Sequence, residues 1–201
     1  NLRTVQYEND YDGTDFVTTG LPADSDNVTD GSQISAKLRW EFAPENTGYR
    51  SALSAHYRKD DNDNTESGAD TGGTTGERIE LNWTGFYTMD NWDFAGGVEY
   101  LQRLFTQRGP IAFGDPNQKQ HDNTYSVFAE TNGQLTESLT ATLSARFDNN
   151  SEFDNAVSYR GGLTWQLNDY YAVFTSYGKA VKTPTFTERF GYFPASFIGN
   201  P

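Results

Sequence analysis

Between Gln33 and Phe42 the chain reads QISAKLRWEF, in which Ile34, Ala36, Leu38, Trp40 and Phe42 alternate with Gln33, Ser35, Lys37, Arg39 and Glu41. A period of two without an error marks a strand with one apolar face. The pattern returns in YRSALSAHYR (Tyr49, Leu53, Ala55, Tyr57), ERIELNWTGFYT (Ile79, Leu81, Trp83, Tyr87), LTATLSARFD (Leu139, Ala141, Leu143, Ala145, Phe147) and AVSYRGGLTWQL (Val157, Tyr159, Leu163, Trp165, Leu167). Less clean versions cover residues 1–8, 92–104, 123–135 and 170–178. Helical spacing wins nowhere, so the pattern predicts an all-β chain of about nine strands.

The connections between these strands alternate as well. Residues 43–48, 89–91, 136–138 and 168–169 are short, 9–32, 59–76 and 105–122 are long, and 150–155 is a modest exception. Antiparallel strands joined this way place every tight turn at one end of the sheet and every long loop at the other. That is the layout of an antiparallel transmembrane β-barrel, with short periplasmic turns and long extracellular loops. A soluble β-sandwich is the alternative; long strands and alternating loop lengths weigh against it.

Aromatic positions test the membrane reading independently. Trp40, Tyr49, Tyr87, Trp92, Trp165 and Tyr170 or Tyr171 lie near the short turns, and Tyr57, Tyr100, Tyr125, Phe147 and Tyr159 lie near the opposite strand ends. Two girdles of amphipathic rings are what the two interfaces of a bilayer select. The expected lipid face holds Ile34, Leu38, Trp40, Leu81, Trp83, Leu143, Leu163 and Trp165. By opposite parity Lys37, Arg39, Arg50, His56, Arg78, Glu80, Glu99, Arg103, Glu130 and Arg146 face a wet lumen.

Composition changes this picture little. The 201 residues carry a net charge of -13, with 35% hydrophobic and 15% aromatic residues and no cysteine. Low average hydropathy is expected where only one face of each strand is apolar. No apolar run reaches the roughly 18 residues of a membrane helix. The acidity argues against nucleic acid as a partner. Absence of cysteine excludes disulfides and thiolate zinc sites.

The first long loop, NDYDGTDFVTTGLPADSDNVTDG, holds Asp10, Asp12, Asp15, Asp24, Asp26 and Asp30 without a lysine or arginine. It is either a solvated acidic surface loop or a calcium site, since calcium takes hard oxygen ligands in flexible geometry. The second, KDDNDNTESGADTGG, begins like an EF-hand loop, but Glu66 stands where that loop needs glycine, and no helices flank it. Its Gly and Thr content predicts a mobile loop. His56 and His121 stand far apart, and no nucleophile elbow, phosphate loop or dinucleotide fingerprint occurs. Nothing here points to an enzyme.

The closing stretch, SYGKAVKTPTFTERFGYFPASFIGNP, is irregular yet rich in phenylalanine. From Ala145 onward the chain resembles the barrel of TonB-dependent outer-membrane receptors, nearest the vitamin B12 (cobalamin) receptor branch. The resemblance rests on Ser176, Tyr177, Gly178, Lys182, Pro184, Glu188, Gly191, Gly199, Asn200 and Pro201. Upstream, Tyr11 and Asp12 resemble a Tyr-Asp pair in a calcium-organised loop of that branch, and Asp24 or Asp26 a second ligand position.

The resemblance implies a Gram-negative outer-membrane receptor of about 22 strands around a plug. Its ligand would be cobalamin, or a ferric siderophore as the alternative, with energy supplied through TonB. Calcium would sit on Asp12, Asp24 and Asp26, with Tyr11 at the nutrient. Residues 1–201 would form part of the barrel wall, with the plug, the TonB-contacting region and the C-terminal strands outside them. A passive porin or an adhesin is the competing class, and it lacks the proline-aromatic-Gly-Asn-Pro segment. Irregular backbone so rich in phenylalanine is expected to pack on the rim or inner wall, and the first and last strands are expected not to pair with each other.

Overall fold

The computed structural model describes residues 1–14, 18–111 and 114–196. Its strands are β1 (Leu2–Asp10), β2 (Gly13–Thr14), β3 (Pro22–Ala23), β4 (Asn27–Phe42), β5 (Tyr49–Glu66), β6 (Ala69–Met89), β7 (Trp92–Arg108), β8 (Gln118–Thr136), β9 (Leu139–Asn150), β10 (Ala156–Gln166) and β11 (Ala172–Lys179), followed by one helical turn, α1 (Phe186–Phe190). Nine of the strands form one antiparallel sheet in the order β1-β4-β5-β6-β7-β8-β9-β10-β11, and β2 pairs with β3 in a small hairpin. Each strand of the large sheet lies beside its successor, and β1 and β11 form two separate edges, as expected.

The register confirms the reading of the faces. Trp40 lies opposite Leu53, Leu53 opposite Trp83 and Trp83 opposite Val98. Farther along the sheet Val127 lies opposite Phe147 and Phe147 opposite Val157. These side chains share one face and stand open to the surroundings, Leu38 at 75% and Trp40 at 65% exposure. Arg39 lies opposite Ser54, His56 opposite Glu80, Asn82 opposite Glu99, and Phe128 opposite Arg146, all on the other face. Among the described residues the only buried hydrophobic side chains are Ala52 and Ala141. A sheet with a dense apolar face and almost no apolar core takes that face to lipid.

The expected long loops are corrected, 9–32 shrinking to the connection between Asp10 and Asn27. Residues 59–76 are not a mobile loop: β5 runs to Glu66, β6 begins at Ala69, and only Ser67 and Gly68 turn the chain. Their φ values of 49° and 78° match what a two-residue hairpin turn demands. β6 has 21 residues, whereas a bilayer crossing needs about 9–11, so this end of the hairpin stands in water on both faces. Polar side chains then bridge the strands directly, Thr75 donating to Asp61 at 2.8 Å and Thr29 to Asn64 at 2.7 Å. The loop 105–122 likewise shrinks to residues 109–117.

Aromatic rings lie on glycines of neighbouring strands. Tyr7 covers Gly31 and Trp92 covers Gly133, each its direct cross-strand partner, and a Cβ on either glycine would meet the ring within 2.2 Å.

The lipid face carries a direct test. In the full-length protein Leu143→Arg should destabilise bilayer folding by about 2–4 kcal/mol, whereas Ser144→Ala, on the opposite face, should cost far less. Equilibrium unfolding from lipid vesicles measures both.

Candidate functional site

The polar face is built from strands that repeat a basic residue and an acid two positions apart. Arg39 Nε meets Glu41 at 2.6 Å, Arg58 Nε meets Asp60 at 2.7 Å, Arg78 Nε meets Glu80 at 3.0 Å, and Arg146 Nε meets Asp148 at 2.7 Å. Positions i and i+2 of a strand share a face, so each of these four strands, β4, β5, β6 and β9, carries its own ion pair. Arg146 also reaches Glu99 two strands away at 2.8 Å. The repeat is visible in the sequence as RWE, RKD, RIE and RFD, a signal that reading for lumen charge alone passes over.

Where β7 and β8 meet, the wall carries a second element of structure. Asp122 is fully buried and accepts from Arg103 Nε at 2.8 Å and from a terminal amine at 2.6 Å. Against this pair packs the irregular segment that follows β11. Phe186 stacks on Phe105 with centroids 5.8 Å apart. The Arg189 guanidinium lies over the rings of Phe153 (4.6 Å) and Phe190 (4.7 Å), donates to Glu152 at 3.2 Å and stands 4.0 Å from Asp122. Gln107 donates to the Tyr192 carbonyl at 3.1 Å and Gln118 to the Gly191 carbonyl at 3.0 Å. The phenylalanine-rich stretch, expected on the rim or inner wall, packs on the charged face at the β7–β8 end.

Local sequence explains why one turn of helix forms there. Thr185 accepts from the Glu188 backbone N–H, and the Glu188 carboxylate accepts from the Thr185 N–H, a reciprocal capping box. Gly191 ends the turn at φ 60°, a value that favours glycine. The Thr185 N–H, the Lys182 ammonium and the Thr185 hydroxyl hold the Glu188 carboxyl down at about 2.

The residues expected to bind ligand or metal lie at the start of the sheet. Tyr11 leaves β1 with its backbone N–H on the Asn27 carbonyl at 3.0 Å and its ring exposed. Asp12, Asp24 and Asp26 belong to the same connection and are exposed, and the Asp26 carbonyl accepts from Ser67 N–H at 2.8 Å. Ser25 organises the connection, accepting from Gly13 N–H and from the Asn27 amide. Among the described residues no three acidic or imidazole side chains are grouped to hold a metal. Asp15, Gly199, Asn200 and Pro201 lie outside the described residues.

A family model described as TonB dependent receptor-like, beta-barrel matches residues 1–201. The chain belongs to the TonB-dependent receptor β-barrel family. Among solved structures it is similar to the siderophore receptor PirA from Acinetobacter baumannii, with a TM-score of 0.66 and 19% identity over 89% of this chain. The match covers 29% of the PirA chain, so the present residues span less than a third of that receptor's length. In a TonB-dependent receptor barrel the charged face lines the lumen, and the segment docked on Arg103 and Asp122 stands inside it.

Two outcomes follow for that segment. Asp122→Ala leaves Arg103 and Arg189 facing each other without their shared carboxylate, and a broken buried pair costs about 3 kcal/mol. Tryptic cleavage after Arg189 in the full-length receptor should therefore accelerate, while Asp122→Asn should keep part of the protection. The second outcome concerns pH. The Glu188 carboxyl sits below its ordinary value of 4.5, so its contribution to the capped turn is complete above that value and is lost as pH falls through about 2. Carboxyl carbon NMR of labelled glutamate should give Glu188 a midpoint near 2.

Proposed function

We propose that this chain forms part of the wall of an outer-membrane receptor of a Gram-negative bacterium. The receptor takes up a scarce nutrient complex, a ferric siderophore or cobalamin, by TonB-dependent transport. The observation that carries the reading is the family match over every residue, on a sheet with one lipid-type face and one charged face. The likeness to a siderophore receptor supports iron chelates as a ligand class. The Tyr11-Asp12 resemblance supports cobalamin. The other partners of this reading are a plug domain of the same receptor, TonB itself and outer-membrane lipid.

Calcium is the cofactor proposed for the first connection, through Asp12 with Asp24 or Asp26, and Tyr11 beside the nutrient. Two carboxylates supply only part of the six to eight oxygens calcium takes, so the ion would have to draw them together with further ligands. A binding titration of the full-length receptor with cyanocobalamin and a panel of ferric siderophores, with calcium and with excess chelator, tests both statements. Binding of one ligand class, strengthened by calcium and weakened by Asp12→Asn, is the expected result. Binding of neither class refutes the receptor reading, and equal affinity in chelator refutes the calcium site alone.

A further inference from the structure

On the apolar face the register lines up small residues from strand to strand. Ser51 lies opposite Gly85, Gly85 opposite Gly96, Gly96 opposite Ala129 and Ala129 opposite Ala145, so one row crosses β5 to β9 without a large side chain. Rings close both ends of the row, Phe42 opposite Ser51 and Tyr159 opposite Ala145. The two neighbouring rows are tall. Tyr49, Tyr87 and Phe94 stand on the side of the short turns, and Trp83, Val98, Val127 and Phe147 on the other. A hollow of about 1030 Å³ opens over the row and runs on toward β10, lined by Gly85, Gly96, Ala129, Ala145, Phe94 and Leu143. Its floor lies on β6 to β9, with further strands on both sides, so no open sheet edge creates it.

Glycine inside a strand weakens it and often marks a place where a ligand or another backbone approaches closely. The glycines of this face differ in what fills them. Gly133 is covered by the Trp92 ring, which a Cβ would meet at 2.2 Å. Gly85 and Gly96 stay open: a Cβ on Gly85 would touch only ring edges, Trp83 at 3.4 Å and Tyr49 at 3.7 Å, and one on Gly96 only backbone. A flat protein surface would rest on the two ridges without reaching this floor, and the floor would forgo its dispersion contacts. The occupant that reaches it is narrow and apolar, and the hollow is continuous with the lipid face around it.

Dimensions and direction agree with that chemistry. Strands about 4.8 Å apart make a row across five of them about 19 Å long, and one leaflet contributes about 15 Å of hydrocarbon. Ser51 stands two residues into β5 from Tyr49, and Ala145 six residues into β9 from Leu139. The row therefore climbs from the interface near the short turns into the bilayer. We propose that this trench holds one acyl chain of a bilayer phospholipid, with the headgroup at the Tyr49 and Tyr87 end.

Full-length protein in micelles doped with dipalmitoyl phosphatidylethanolamine or phosphatidylglycerol is analysed by native mass spectrometry, which counts the lipids kept. A lipid of either headgroup should be retained, and dihexanoyl phosphatidylcholine should not. Ala129→Leu and Ala145→Leu, which raise the floor, should each keep one lipid fewer, whereas Val127→Leu, on the ridge, should keep them all. Absence of a retained lipid overturns the proposal, as does retention governed by headgroup, unaltered in both floor variants or reduced equally by Val127→Leu. A protein dimer that the floor variants dissolve also overturns it, and gives the trench to a second copy of the chain. If neither floor variant folds, retention in the unaltered protein that is indifferent to chain length overturns it as well.

Discussion

The architecture depends on a ladder of antiparallel backbone hydrogen bonds that runs across nine strands and shifts register only near the turns, at Asn64/Thr65 and Gln134/Thr136. In hydrocarbon an unpaired N–H or C=O costs several kcal/mol, so the strands have no freedom to leave the ladder while they cross the bilayer. Once the ladder is imposed, parity decides the rest. Leu53, Trp83 and Val98 fall on one side, and Arg58, Arg78 and Arg103 on the other. The charged wall is thus a by-product of the lipid face: every second side chain is removed from the apolar environment, and those positions are left to carry ion pairs.

The fold was legible because that constraint writes itself into the sequence with a period of two, and the alternation in residues 33–42 or 139–148 fits a strand and no helix. The constraint lapses outside the bilayer. Residues 59–66 and 69–76 are as firmly paired as any others, yet with water on both faces they have no reason to alternate, and polarity there looks like a loop. The site was legible only in part. The aromatic run after Gly178 announces burial, but its anchors are Gln107, Gln118 and Asp122, and Gln107 meets a carbonyl 85 residues away. Spacing along the chain carries no trace of such a contact. In the first connection, counting aspartates draws attention to Asp12, Asp24 and Asp26, whereas Ser25 and Asn27 hold the backbone.

The docked segment also covers part of the charged face. Its anchors differ in kind: a stacked ring pair, two guanidinium-ring contacts, two amide-to-carbonyl bonds and a salt-bridge cluster. Residues 180–184 pair with no strand, so the segment is held at its tip rather than along its length. Conditions that weaken ionic contacts act on that tip directly.

Alternation by itself leaves an ambiguity that the glycines remove. Sliding one strand past another by a single residue exchanges the two faces, but sliding by two restores them. An amphipathic pattern is blind to that second error. Trp92 finds room only over Gly133, and Phe128 comes within 2.9 Å of a Cβ placed on Gly97, its own opposite number. Shift β8 by two positions either way and Trp92 collides with Thr131 or Leu135. Ring and notch therefore work as a key, counting residues where hydrophobicity can count only odd and even.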